Sequence, residues 1–131
     1  MITAKNYNFS FSGLKTAVLY HMRDFPKASP ADICASFQAA AVDVLVTKTI
    51  RAAKEFGAKS ISLSGGVSAN QALREKLKAE SIKLKLEFFV PPPGLSTDNA
   101  EMIGIAAAFA LANGTKPVPI NKIQANPSLQ L

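Results

Sequence analysis

The sequence predicts an α/β fold built on a βαβ unit, and three observations carry that expectation. Two short apolar runs, Ile61-Ser62-Leu63 and Phe88-Phe89-Val90, have the length and bulk of buried strands. Between them lies a charged segment, Asn70 to about Ala79, with Leu73 and Leu77 recurring on one side as in a helix that covers a sheet. Each run ends in a loop: Ser64-Gly65-Gly66 after the first, Pro91-Pro92-Pro93-Gly94 and then Asp98-Asn99 after the second. Strand, helix, strand in this spacing requires parallel strands and a crossover helix, so both loops emerge on one carboxyl edge. In open α/β sheets that edge is where ligands bind.

Composition sets the outer limits. A chain of 131 residues, 48% hydrophobic and 18% charged, can bury one sizeable core, so residues 1–131 are expected to form one domain. The most apolar stretch, Met102 to Ala112, is too short to span a bilayer and contains Gly104, so no membrane segment is expected. The N-terminus lacks the apolar centre of a signal peptide. The single cysteine, Cys34, cannot form an internal disulfide, which fits a reducing, cytoplasmic setting. Fifteen Lys and Arg against nine Asp and Glu leave a net charge of +6, which favours an anionic partner. Much of the excess lies from Arg74 to Lys85, either a solvated helix face or a contact to nucleic acid; with no aromatic residues there to stack on bases, a sequence-reading surface is not supported.

Taken in order, Asn8-Phe9-Ser10-Phe11-Ser12 alternates polar and apolar residues, the period of a half-buried strand. Ser12-Gly13 supplies a turn and a candidate N-cap for a helix from Leu14 to about Asp24, with Leu14, Ala17, Val18 and His21 on one side. Gly13-Leu14-Lys15-Thr16 lacks the first glycine and the spacing of a phosphate-binding P-loop. His21 is the only histidine and has no carboxylate or cysteine at ligand spacing, so it reads as a half-exposed side chain. Phe25 to Ala28 breaks the helix, and Ser29-Pro30-Ala31-Asp32 restarts one with a cap, a first-turn proline and an acid at the positive end. Ile33, Phe37, Ala40, Ala41, Val44 and Leu45 give that helix an apolar face, and Gly57 closes it after about 26 residues. Gln38 and Asp43 on it are expected to face solvent or to hydrogen-bond. The last helix, Asn99 to Ala112, carries Gly104, Ala108 and Ala112 four apart, a flat stripe suited to close packing against the sheet or another helix. Asn113-Gly114 ends it, and residues 115–131 read as an extended tail.

Four residues are candidates for chemistry. Gly65 and Gly66 can take positive φ and let a phosphate or ribose approach the main chain, or they merely reverse it. Asn70 either caps the helix or presents its amide to a bound nucleotide. Asp98 either opens a capping box, Asp98-Asn99-Ala100-Glu101, or contributes one ligand to a divalent metal whose remaining ligands cannot be identified by spacing.

Read together, Asn8 to Val18 (NFSFSGLKTAV), Ala35-Ser36-Phe37-Gln38, Ser64-Gly65-Gly66-Val67-Ser68-Ala69-Asn70 and Ser96-Thr97-Asp98-Asn99-Ala100-Glu101-Met102-Ile103 resemble the TsaD family, the tRNA threonylcarbamoyladenosine synthases once called O-sialoglycoprotein endopeptidases. The closing Asn126-Pro127-Ser128-Leu129 is similar to that family's C-terminal end. The resemblance implies the C-terminal lobe of an actin-like, Hsp70-like (ribonuclease H-like) ATPase fold. The family's paired histidines, its first glycine-rich substrate loop and an acidic ribose-binding residue belong to an N-terminal portion that this sequence does not contain.

On that resemblance Asn70 matches a substrate-contacting asparagine, Gly65 and Gly66 the loop beside the nucleotide, and Asp98 a metal-ligating aspartate. Ser96 stands where the family usually has cysteine. The implied reaction transfers threonylcarbamoyl from its adenylate to the exocyclic amine of the adenosine next to the anticodon, with a divalent metal, iron by resemblance, held partly by Asp98 and polarising the mixed anhydride. Adenylate or ATP, tRNA, TsaB-like and TsaE-like proteins and a separate N-terminal lobe are the implied partners, with no membrane. By ligand count the chain is expected to be inactive alone. The alternative is a non-catalytic nucleotide-binding or interaction module that pairs with another chain. A metalloprotease is discounted, because no His-Glu-x-x-His motif is present.

Overall fold

The computed structural model describes residues 2–97 and 99–124. It divides into two compact units, Met1–Thr97 and Asp98–Leu131. In the first unit the order is α1 (Ser12–Asp24), α2 (Pro30–Glu55), β1 (Ser60–Ser62), a short 3-10 turn (Gly66–Ala69), α3 (Gln71–Lys83) and β2 (Glu87–Phe89). The second contains α4 (Ala100–Ala112) and a 3-10 turn at Ile120–Lys122.

The βαβ unit forms as expected. Strands β1 and β2 pair in parallel, with Ser60 opposite Glu87, Ile61 opposite Phe88 and Ser62 opposite Phe89. The ladder extends by one bond at each end, Leu63 N–H to the Phe89 carbonyl at 2.9 Å and Glu87 N–H to that of Lys59 at 3.1 Å. Helix α3 lays Leu73 and Leu77 over this pair and over α2. Those two leucines, Val42, Val46, Ile50 and Ala53 of α2, and Ile61 of β1 make the core. Burying a leucine fully is worth about 1.5–3 kcal/mol, so this seven-residue cluster is what orients the two strand ends.

Helix α2 begins behind Ser29 with Pro30 in its first turn and stops before Gly57, whose φ of +59° takes the left-handed conformation that ends a helix. Its buried residues all lie from Val42 onward. Ile33 and Ala40 are half-buried and Phe37 is exposed, because the first half of the helix lines an open cleft. By length and composition α2 could also cross a bilayer, with a mean hydropathy of 1.4 over its most apolar window. This corrects the expectation that no segment reaches that length: Asp43 and Lys48 interrupt the apolar run without removing its apolar character.

The strand expected at Asn8–Ser12 does not form. Residues 8–11 are irregular, and α1 already begins at Ser12, behind Phe11. A strand needs a neighbour to satisfy its backbone, and here side chains of α2 do so instead. The ammonium of Lys48, itself 1% exposed, donates to the Asn8 carbonyl, and Arg51 Nη2 donates to the Asn6 carbonyl at 2.6 Å. The two-residue period still shows in the side chains: the Phe9 and Phe11 rings stack with centroids 6.2 Å apart.

In the second unit the helix cap falls one residue later than expected. Asn99, extended at φ −154° and ψ 157°, accepts the Met102 N–H through Oδ1 at 2.9 Å. The predicted cap and metal ligand, Asp98, lies outside the described residues, as does Asn126-Pro127-Ser128-Leu129. No residue of α4 is buried, so the close packing expected of its small-residue stripe is not seen among the described residues. Residues 115–119 are irregular and are followed by the 3-10 turn at 120–122.

Candidate functional site

The glycine loop sits at the carboxyl end of β1, on the edge to which the parallel register also brings the loop after β2. Of its two glycines only Gly65 takes positive φ (+81°, with ψ 174°), a conformation that essentially only glycine adopts. Gly66 already belongs to the 3-10 turn, and a Cβ placed on either glycine would meet open space. The turn is closed by Ser68 N–H to the Gly65 carbonyl at 2.9 Å and Asn70 N–H to that of Val67 at 3.0 Å.

Asn70 serves as the N-cap of α3, its Oδ1 accepting the Leu73 N–H at 3.0 Å. Its Nδ2 donates to Gln38 Oε1 of α2 at 2.9 Å. Both ends of the amide are thus held, and one N–H and one lone pair remain for a ligand. Capping and ligand-binding, alternatives on the sequence, are compatible in this geometry. Gln38 was expected only to face solvent or hydrogen-bond. Its place in Ala35-Ser36-Phe37-Gln38 was the signal, but its partner lies 32 residues away and could not be found by spacing.

Beside Asn70 opens a cleft of about 910 Å³ between α1, the first half of α2 and the start of α3. Leu19, Met22, Phe37, Leu45 and Val67 give it apolar walls, and Lys15, Thr16, Gln38 and Asn70 bring a few polar groups to them. An apolar cleft of this size with few, convergent polar groups is the usual form of a small-molecule site. Cys34 on its wall is an exposed free thiol. The His21 ring packs tilted against Phe25, centroids 4.8 Å apart, and does not line this cleft.

Sequence reasoning placed Arg74 within a basic stretch, either a solvated helix face or a contact to nucleic acid. It is instead half-buried and bonded. Its Nε donates to the Ser68 carbonyl and its Nη2 to Ser96 Oγ at 2.7 Å. Ser68 and Ser96 are themselves buried, at 0% and 6% exposure. The remaining basic residues behave more as expected: Lys76 pairs with Asp43 and Lys83 with Glu80, all at the surface. Among the described residues no group of three or more His, Cys, Asp or Glu could hold a metal ion. The described residues therefore do not by themselves make a metal site.

This geometry defines a class: an α/β domain offering a glycine loop, a fixed amide and an apolar cleft at one sheet edge. The chain belongs to the TsaD family, tRNA N6-adenosine threonylcarbamoyltransferase, whose family profile matches residues 1–105. It is 55% identical over 107 residues to the tRNA N6-adenosine threonylcarbamoyltransferase of Desulfotalea psychrophila, covering 76% of this chain and 31% of that protein. The proteins of that name from Thermosipho africanus and Thermosipho melanesiensis are 49% and 45% identical, covering 81% and 98% of this chain and 33% and 38% of theirs. The chain spans about a third of the length of these curated relatives.

Proposed function

We propose that this chain is the C-terminal part of a tRNA threonylcarbamoyladenosine synthase, with the actin-like lobe architecture that implies, and that it works only with the portion its relatives have in addition. In the reaction, the exocyclic amine of the adenosine beside the anticodon attacks the carbamoyl carbonyl carbon of threonylcarbamoyl-AMP. A C–N bond forms, the bond from that carbon to the phosphate oxygen breaks, AMP leaves and the amine gives up a proton. The single observation that carries this reading is the Asn70 amide, held by its cap bond and by Gln38 next to Gly65 and Gly66, within the family's own sequence pattern.

In this reading Gly65 and Gly66 bring main-chain N–H groups close to the adenylate, and the remaining Asn70 N–H orients it. The apolar cleft shields that end from water. Asp98 gives one ligand to a divalent metal, iron by resemblance, and the other ligands come from outside this chain. The net charge of +6 favours tRNA approach. TsaB-like and TsaE-like proteins act as partners, in the cytoplasm where tRNA is modified, with no part played by a membrane.

The test is transfer of labelled threonine to tRNA by this chain joined with the N-terminal portion of a relative. Asp98→Ala abolishes transfer while leaving the fold intact, and Asn70→Ala weakens adenylate binding. Undiminished transfer by Asp98→Ala contradicts the ligand assignment. A non-catalytic nucleotide-binding module is the second reading, since the glycine loop and the fixed Asn70 amide are binding rather than bond-breaking groups. It predicts adenylate binding without transfer in every combination.

A further inference from the structure

Arg74 joins two loops that sequence separation keeps apart. It stands one turn into α3, its own N–H bonded to the Asn70 carbonyl at 3.1 Å, so its backbone is fixed by the cap that fixes Asn70. From there one planar guanidinium reaches back to the Ser68 carbonyl in the glycine-loop turn and across to Ser96 Oγ, two residues before Asp98. Both acceptors are buried serines, so neither bond is readily replaced by water. Lysine could not make this pair of contacts, because its single ammonium lacks the rigid fork of N–H groups.

We propose that Arg74 is a positioning residue that locks the Gly65–Ala69 turn to the loop carrying Ser96 and Thr97, so that the two loops present one edge to the ligand. Arg74 itself does not touch the substrate. The role rests on the functional reading given above, whereas the lock itself does not. Serine at position 96 supplies a hydroxyl acceptor for the guanidinium, and Ser96→Ala removes it with little change in volume.

Two measurements on Arg74→Gln, Ser96→Ala and the double variant test this. The first is amide hydrogen exchange in the 131-residue chain. The amides of Ser68 and Asn70 in one loop and Leu95 in the other are hydrogen-bonded and report local opening. In Arg74→Gln all three exchange about tenfold faster or more, while Leu63 and Glu87 in the sheet ladder are unchanged. Ser96→Ala has the same effect at Leu95, and the double variant is no worse than Arg74→Gln, because both remove one lock. In Arg74→Gln, faster exchange in one loop only overturns the lock, as do additive effects of the two substitutions.

The second is threonine transfer with a relative's N-terminal portion added. Arg74→Gln lowers kcat by about a hundredfold with little change in KM for the adenylate, since it misplaces groups rather than removing contacts. Coupled exchange with unchanged kinetics overturns the positioning role. Absence of transfer by the unsubstituted chain, with coupled exchange intact, overturns the functional reading and upholds the lock.

Discussion

Helices α3 and α4 are both thirteen residues long, and both start behind an asparagine whose Oδ1 accepts the N–H three residues on, at 3.0 Å from Asn70 and 2.9 Å from Asn99. Their surroundings are opposite. The polar helix, α3, buries Leu73, Leu77 and Ser81, and the apolar one, α4, buries nothing, leaving Ile103 72% and Phe109 68% exposed. Composition alone does not settle burial. Two leucines four apart give α3 one face that fits the sheet and α2, whereas α4 is apolar on all sides, as helices are that need cover on all sides. That surface belongs to a chain spanning about a third of its relatives' length.

The largest expected effect comes from the face α3 buries. Leu77→Ala costs about 2–5 kcal/mol in urea unfolding, and Ile103→Ala stays within about 0.5 kcal/mol of the unsubstituted chain. Equal losses at the two positions would break the comparison. The glycines beside each helix come next. Gly65→Ala forces a side chain into φ +81°, at a cost of about 1–3 kcal/mol, although its Cβ has room. Gly104→Ala, mid-helix with open space around it, instead stabilises by about 0.5–1 kcal/mol.

The two caps separate more finely. Removing either asparagine's side chain costs about 1 kcal/mol, and Asn70→Ala adds the loss of the Gln38 bond, so thermal unfolding falls further for Asn70→Ala than for Gln38→Ala. The smallest effect is electrostatic. Glu80 is held below the ordinary glutamate range chiefly by its hydrogen bond from Lys83, opposed by desolvation and aided by the charges of Lys83, Lys54 and Lys76. A carboxyl depressed on folding contributes stability above its unfolded pKa and loses it as pH falls through its folded pKa. Glu80→Gln therefore flattens the acid side of a melting-temperature profile slightly, and added salt erases the difference, because the pair is at the surface.

These contrasts mark what the sequence made legible. The βαβ unit, the parallel strands, the 26-residue helix and the inward leucines follow from local periodicity and turn residues, and all are present. The N-terminal strand was misread because Phe9 and Phe11 alternate as in a strand, while the partners that fix the backbone, Lys48 and Arg51, lie about forty residues away. At the candidate site, Gly65 and Asn70 announced themselves through special backbone and cap chemistry. Gln38 and Arg74 did not, because their meaning depends on partners that only folding brings near: Asn70 for one, Ser68 and Ser96 for the other.

The central claim is that the chain carries half of a site completed by another portion of its family's fold. The direct measurement is incorporation of labelled threonine into tRNA with bicarbonate, ATP, metal, the adenylate-forming enzyme and partner proteins, with and without a separately expressed N-terminal portion. Transfer only when that portion is added is the predicted result. Transfer by this chain without it would contradict the claim.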